Sequence, residues 1–165
     1  MIKAYHEARG NKQKKVIIFP DTAHGTNPAS AAMAGFACKQ IPSGKDGMLR
    51  YEDVAPHLDE TVAAIMVTNP NTLGIYEKDF TKIAEHLHKL DGLVYMDGAN
   101  FNAVMGIFLP GKIGVDIMHW NLHKTFTTPH GGGGPGSGPI GFVKKLAPFS
   151  PTSGDPRSIG PVKAW

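Results

Sequence analysis

Two ionisable side chains stand where a reacting group would be placed. Asp97 closes the apolar run Leu93-Val94-Tyr95-Met96, and Lys124 follows shortly after the run Val115 to Trp120. Gly98 and Ala99, both small, follow the aspartate and leave room for a flat ring beside it. The lysine has an apolar run and Phe126 as neighbours, so partial desolvation is expected, which favours the neutral amine that imine chemistry needs. An amine that forms a Schiff base and an acid that keeps a ring nitrogen protonated are two of the three protein groups that pyridoxal-phosphate (PLP) chemistry requires. The third is an anion cradle for the phosphate. On spacing alone, an ordinary strand-end aspartate and a surface lysine account for the pair equally well.

Elements that would position these groups can be read along the chain. Val16-Ile17-Ile18-Phe19 reads as a short buried strand, followed by the polar turn Pro20 to Pro28. Asn27 and Pro28 suit the N-cap and first position of a helix running through small residues towards Phe36. Residues 42–50 read as a loop, and Tyr51 to Leu58 as a short helix. Val62 to Val67 is a fully apolar strand ending in the turn Thr68-Asn69-Pro70-Asn71-Thr72-Leu73-Gly74. Phe80, Ile83, Ala84, Leu87 and Leu90 recur at helical spacing, with Glu77, Lys78, Lys82, Glu85 and Lys89 on the other face and Gly92 as the stop. Leu93 to Met96, Val115 to Trp120 and Pro139 to Val143 are the remaining strands.

Strands alternating with helices imply an α/β fold, a mostly parallel sheet with helices on both faces and right-handed crossovers. Ligands of such sheets bind at the carboxyl ends of the strands. Four polar clusters fall there: His24 to Asn27, Thr68 to Asn71, Asp97 to Asn102, and Asn121 to Thr125.

Composition narrows the remaining choices. The 165 residues, 41% hydrophobic and 19% charged, suit one globular domain with a core. No apolar run is long enough to span a bilayer, and the polar N-terminus lacks the apolar stretch of a secretion signal. The single cysteine, Cys38, forbids an intrachain disulfide, and its small-residue surroundings suggest buried packing. A net charge of +3 is mild, and Lys12, Lys14 and Lys15 read as a solvated approach to a strand, so nucleic acid is not expected as a partner. No metal site is expected. His86 and His88 face different sides of a helix, and His119, His123 and His130 straddle a strand end and a Gly-rich loop without a repeated ligand set. The run Gly131 to Gly138 is neither a dinucleotide-binding turn nor a phosphate-binding P-loop. It is either a plain connection or a place where backbone approaches a ligand closely.

Five segments, taken in order, carry a resemblance. They are Asp21-Thr22-Ala23-His24-Gly25-Thr26-Asn27-Pro28-Ala29-Ser30, Val67 to Gly74, Asp97-Gly98-Ala99-Asn100, Asn121-Leu122-His123-Lys124-Thr125-Phe126, and Pro129 to Pro139. Together they resemble the glycine decarboxylase P-protein family, and the likeness covers nearly the whole chain. It implies part of the large domain of a fold-type I PLP enzyme. Lys124 would form the Schiff base and Asp97 would pair with the pyridinium nitrogen. His24 would lie against the ring or near the substrate carboxylate, with a turn histidine bonding its own loop as the alternative. Thr26 would line the same pocket, and Ala99, Asn100, Asn121 and His123 would complete the shell.

The resemblance further implies glycine as substrate and the lipoylated H-protein as partner. The glycine run would then serve the cofactor entrance. A homodimer or paired subunits are expected, in the cytoplasm or, alternatively, the mitochondrial matrix. Residues 1–149 would be a partial large domain, and 150–165, rich in Pro, Gly and Ser, would lead to a C-terminal domain. The family's Ser/Thr-rich phosphate-binding segment has no match before Val16, so an isolated chain is expected to be inactive. Another fold-type I enzyme, such as an aminotransferase or aldolase, is the alternative. Such enzymes often bind the substrate carboxylate with arginine, yet none of Arg9, Arg50 and Arg157 falls at a predicted strand end. An inert fragment is the non-enzymatic alternative.

Overall fold

The computed structural model describes residues 1–133 and 138–150. Its strands are β1 (Val16–Pro20), β2 (Ala37–Ile41), β3 (Val62–Thr68), β4 (Leu93–Gly98), β5 (Ile117–Trp120) and β6 (Ile140–Phe142). The helices are α1 (Ile2–Ala8), α2 (Thr26–Met33), α3 (Tyr51–Val54), α4 (Phe80–Lys89) and α5 (Leu122–Thr125). One six-stranded sheet runs in the order β2-β1-β3-β4-β5-β6, parallel throughout except for β6, which pairs antiparallel to β5.

β3 lies near the centre, and all seven of its residues are buried. A parallel strand covered on both faces has to be apolar throughout, which is what Val62 to Val67 supplies. Successive side chains leave opposite faces of the sheet. On one face Ile18, Ile65, Val67, Val94, Met96 and Met118 pack with Phe80, Ile83, Ala84 and Leu87 of α4. On the other, Ile17, Ala64, Met66, Leu93, Ile117 and Phe142 pack with Tyr5 of α1 and Ala31 of α2. Each fully buried large side chain contributes about 1.5–3 kcal/mol. The expected α/β architecture is therefore present, with helices on both faces.

Several local expectations are corrected. β2 was not predicted, because four of its five residues are exposed and show no alternation. Cys38 lies on this strand and is exposed, not buried. Lys14 is buried: its Nζ donates to the carbonyls of Val62 and Leu90, which replaces its water. Glu77 precedes α4 and is buried as well, accepting from the Leu49 N–H (2.7 Å) and the Asn71 Nδ2 (2.8 Å). Burial pushes its carboxyl above the ordinary value, and those two bonds offset this only in part. After α4 the left-handed residue is Asp91 (φ 57), not Gly92. Gly92 is needed for another reason, since a Cβ there would meet Leu87 Cδ1 at 2.3 Å.

Candidate active site

The chain leaves β1 towards β2 on one side and returns on the other as β3, so the strand order reverses between β1 and β3. Such a switch point, at the carboxyl ends, is where open α/β sheets bind ligands. The loops after β1, β3, β4 and β5 lie side by side there and are laced together. Thr72 Oγ1 donates to Thr22 O (2.6 Å), joining the first two loops. Asn100 Nδ2 donates to Pro70 O (3.0 Å) and Asn71 O (2.9 Å), joining the second and third. Asn102 Nδ2 donates to Lys124 O (3.0 Å), joining the third and fourth.

Asp97 stands at the centre of this rim and is 4% exposed. Its Oδ1 lies 3.1 Å from His119 Nε2 and accepts the Ala99 N–H at 2.9 Å. Oδ2 has a long contact with the Thr68 hydroxyl at 3.4 Å. Burial pushes the carboxyl up, but the His119 hydrogen bond, the Ala99 N–H and the nearby Asn27 side chain outweigh it and hold the group below the usual carboxylate range. Gly98 follows because β5 comes so close, since a Cβ there would meet His119 O at 2.1 Å.

Lys124 sits in α5, four residues beyond the end of β5, with its backbone held by Asn102 and by its own N–H to Asn121 O. Its side chain is exposed, so the desolvation expected from its apolar neighbours is not met. His24 and Thr26 are exposed too, and the Thr26 N–H donates to His24 Nδ1 (3.1 Å), which is the loop bond weighed as the alternative. Ala99 bonds Asp97 directly. Asn100 spends its amide on the neighbouring loop. The Oδ1 of Asn121 and the Oγ1 of Thr125 are buried without a hydrogen-bond partner. His123 packs against the His130 ring, centroids 4.6 Å apart. The glycine run after His130 lies partly outside the described residues.

Two residues were missed from the sequence. His119 was weighed only as a metal ligand, yet it is the cross-strand neighbour of Asp97. The signal was its place in a strand flanking the one that Asp97 ends. Asn27 was read as a helix cap. Gly25 holds that position instead, and Asn27 is 3% exposed with an Nδ2 that completes no hydrogen bond, although it stands close enough to bear on Asp97. Thr26, Asn27, Met66, Tyr95 and His119 line a cleft of about 500 Å³ on this face of the sheet. A cationic ring N–H is matched by the acceptor that Asp97 offers: a buried carboxylate held ionised, one oxygen engaged and the other with acceptor capacity left. The residues present fit PLP.

Comparison with known proteins agrees with that geometry. The chain is 63% identical over 151 residues to the "Probable glycine dehydrogenase (decarboxylating) subunit 2" of Aquifex aeolicus, covering 92% of this chain and 31% of that protein. It is 54% identical over 178 aligned residues to the protein of the same name from Fervidobacterium nodosum, covering 99% and 37%. The chain thus spans about a third of the length of these relatives. A sphingosine-1-phosphate lyase from Burkholderia pseudomallei shares the fold, with TM-score 0.63 and 18% identity over 84% of this chain and 33% of that one. The resemblance drawn from the five segments holds, and with it the PLP cofactor and the fold-type I large domain. The model of one family, "Aminotransferase class-V", matches residues 1–133, and the chain belongs to that family.

Proposed function

We propose that the complete protein decarboxylates glycine with PLP and passes the aminomethyl group to the lipoyl arm of an H-protein. The observation that carries this reading is the buried, ionised Asp97 beside the loop that presents Lys124, in a chain so close to proteins named glycine dehydrogenase (decarboxylating). PLP, when bound, supplies a sink for the electrons released as carbon dioxide leaves. The chain's own work is positioning and charge. Lys124 offers the amine, and its backbone is braced to the Asp97 loop through Asn102. Asp97 would keep a proton on the ring nitrogen, because an ionised carboxylate beside it favours the cationic N–H. His24, at the β1 end of the rim, would lie against the ring or near the substrate carboxylate, Thr26 would line the same pocket, and Ala99, Asn100, Asn121 and His123 would complete the shell.

The aminotransferase or aldolase reading gains nothing from the arginines. Arg9 pairs with Asp91 and Arg50 with Asp46, so both are already engaged, and Arg157 lies outside the described residues. Residues 1–149 are taken as part of the large domain. Pairing with another subunit belongs to the same proposal. It is supported by the words "subunit 2" in the relatives' names and by Met105, Ile107 and Leu109, large apolar residues exposed beside the rim. No helix among the described residues is long and apolar enough to cross a membrane. A cytoplasmic location is proposed from the sources of the relatives.

The test is glycine–bicarbonate exchange by the complete protein with lipoylated H-protein. Exchange that requires the lipoyl group supports the proposal. Transamination of an amino acid without such exchange overturns it in favour of the alternative.

A further inference from the structure

The Asp97 carboxylate is not alone on its face of the sheet. Tyr95 precedes it by two residues in β4, so both side chains leave the same face. His119 is the register partner of Asp97 in β5. The three side chains form a line, with Tyr95 Oη 2.8 Å from His119 Nδ1 and His119 Nε2 3.1 Å from Asp97 Oδ1. We infer that His119 is a positioning residue for Asp97, and that the Tyr95 hydroxyl selects the His119 tautomer whose Nε2–H donates to that carboxylate. This rests on the reading of Asp97 as the partner of the cofactor's ring nitrogen.

Donors and acceptors must alternate along this line of side chains. An ionised carboxylate only accepts, so the His119 nitrogen facing it must carry hydrogen. In the neutral imidazole the other nitrogen is then a lone pair, which needs a donor. The Tyr95 O–H is that donor. Burial and the Asp97 charge push its ionisation well above the ordinary value, so the hydroxyl keeps its proton. With Oδ1 engaged by His119 and by the Ala99 N–H, rotation of the carboxylate is blocked. Oδ2, with only the long Thr68 contact and Asn27 nearby, is the oxygen left for a ring nitrogen. Without Tyr95, the tautomer with hydrogen on Nδ1 becomes accessible. It would set a lone pair against the carboxylate and turn it away.

The test uses the complete protein. Nitrogen NMR of the cofactor-free form should show His119 as a single Nε2–H tautomer. In Tyr95→Phe it should show a mixture, with the fold unchanged by circular dichroism. PLP affinity, followed by fluorescence, should fall about tenfold or more in His119→Phe, the range for a lost hydrogen bond to a charged group. It should return to within a few-fold in His119→Gln, whose side-chain N–H can still reach the carboxylate. A single unchanged tautomer in Tyr95→Phe overturns the role of Tyr95. Wild-type PLP affinity in His119→Phe, or no rescue by a folded His119→Gln, overturns the role of His119. Asp97→Asn separates this from the reading beneath it: if that variant binds PLP with a wild-type absorbance spectrum, the cofactor role of Asp97 fails. The tautomer result would still decide the Tyr95–His119 contact by itself.

Discussion

Asp97 and His119 face one another across the parallel pairing of β4 and β5, with carboxylate oxygen and imidazole nitrogen 3.1 Å apart. That contact, and the Ala99 N–H beside it, leave a buried carboxylate charged against the pull of its surroundings. The variant Asp97→Asn cannot hold a ring nitrogen protonated. In the complete protein it should still take up PLP through Lys124, but about tenfold or more weakly, while the barrier to glycine–bicarbonate exchange rises by about 2.7–4 kcal/mol, the scale of a lost electrostatic contact in an active site. Near-normal exchange would remove Asp97 from this role.

Lys124→Ala should abolish covalent capture of the cofactor. Borohydride reduction followed by peptide mapping labels Lys124 in the complete protein, and the variant should carry no label. A label moved to another lysine would show that the Schiff base forms elsewhere.

Gly98→Ala places a methyl group 2.1 Å from the His119 carbonyl and 2.7 Å from Met118 Cε. The first of these is backbone and cannot swing aside, so β4 and β5 must part. A cost of about 1–3 kcal/mol or more is expected, seen as a melting temperature several degrees lower. A melt within one degree of wild type, at about ±1 °C, would contradict the close approach of these strands.

Asp116 is held by His88 Nε2 (2.7 Å), Lys145 Nζ (2.8 Å) and the Val94 N–H (2.9 Å). Burial raises its carboxyl, but those three partners outweigh it and the folded-state value is lowered. A carboxyl lowered on folding contributes stability above its unfolded value of about 3.9, and loses it as pH falls through the folded value. Asp116→Asn should therefore cost about 1.5–3 kcal/mol at neutral pH. The gap to wild type should narrow below about pH 4. Chemical denaturation at both pH values checks this, and a gap that stays constant or widens in acid would sink it.

Much of the site was legible because its two main groups sit where apolar runs stop. Asp97 and Lys124 each follow a strand whose sidedness and end are marked by residue type alone. What was not legible depended on register or on distant backbone. His119 meets Asp97 only through the β4–β5 pairing, which the crossover between them fixes. Lys14 and Glu77 look like solvated charges until the carbonyls and N–H groups of remote segments replace their water. Strand β2 escaped notice because an exposed edge places no demand for alternation on its residues. Asn27 carried a cap signal and went inside instead, since Gly25 took the cap and Asn27 lies buried in the first turn of α2.

The parallel order of β1 to β5 also governs how the molecule comes into being. Neighbouring parallel strands cannot be joined by a tight turn, so each pairing must wait until a whole crossover has been closed. Assembly of this kind is slow and leaves strand edges bare on the way. The groups at the rim acquire their neighbours only after β3, β4 and β5 have met. A ligand that grips the finished rim and not the open chain would act as a thermodynamic pull on assembly. The supply of cofactor during synthesis would then set how much folded protein accumulates.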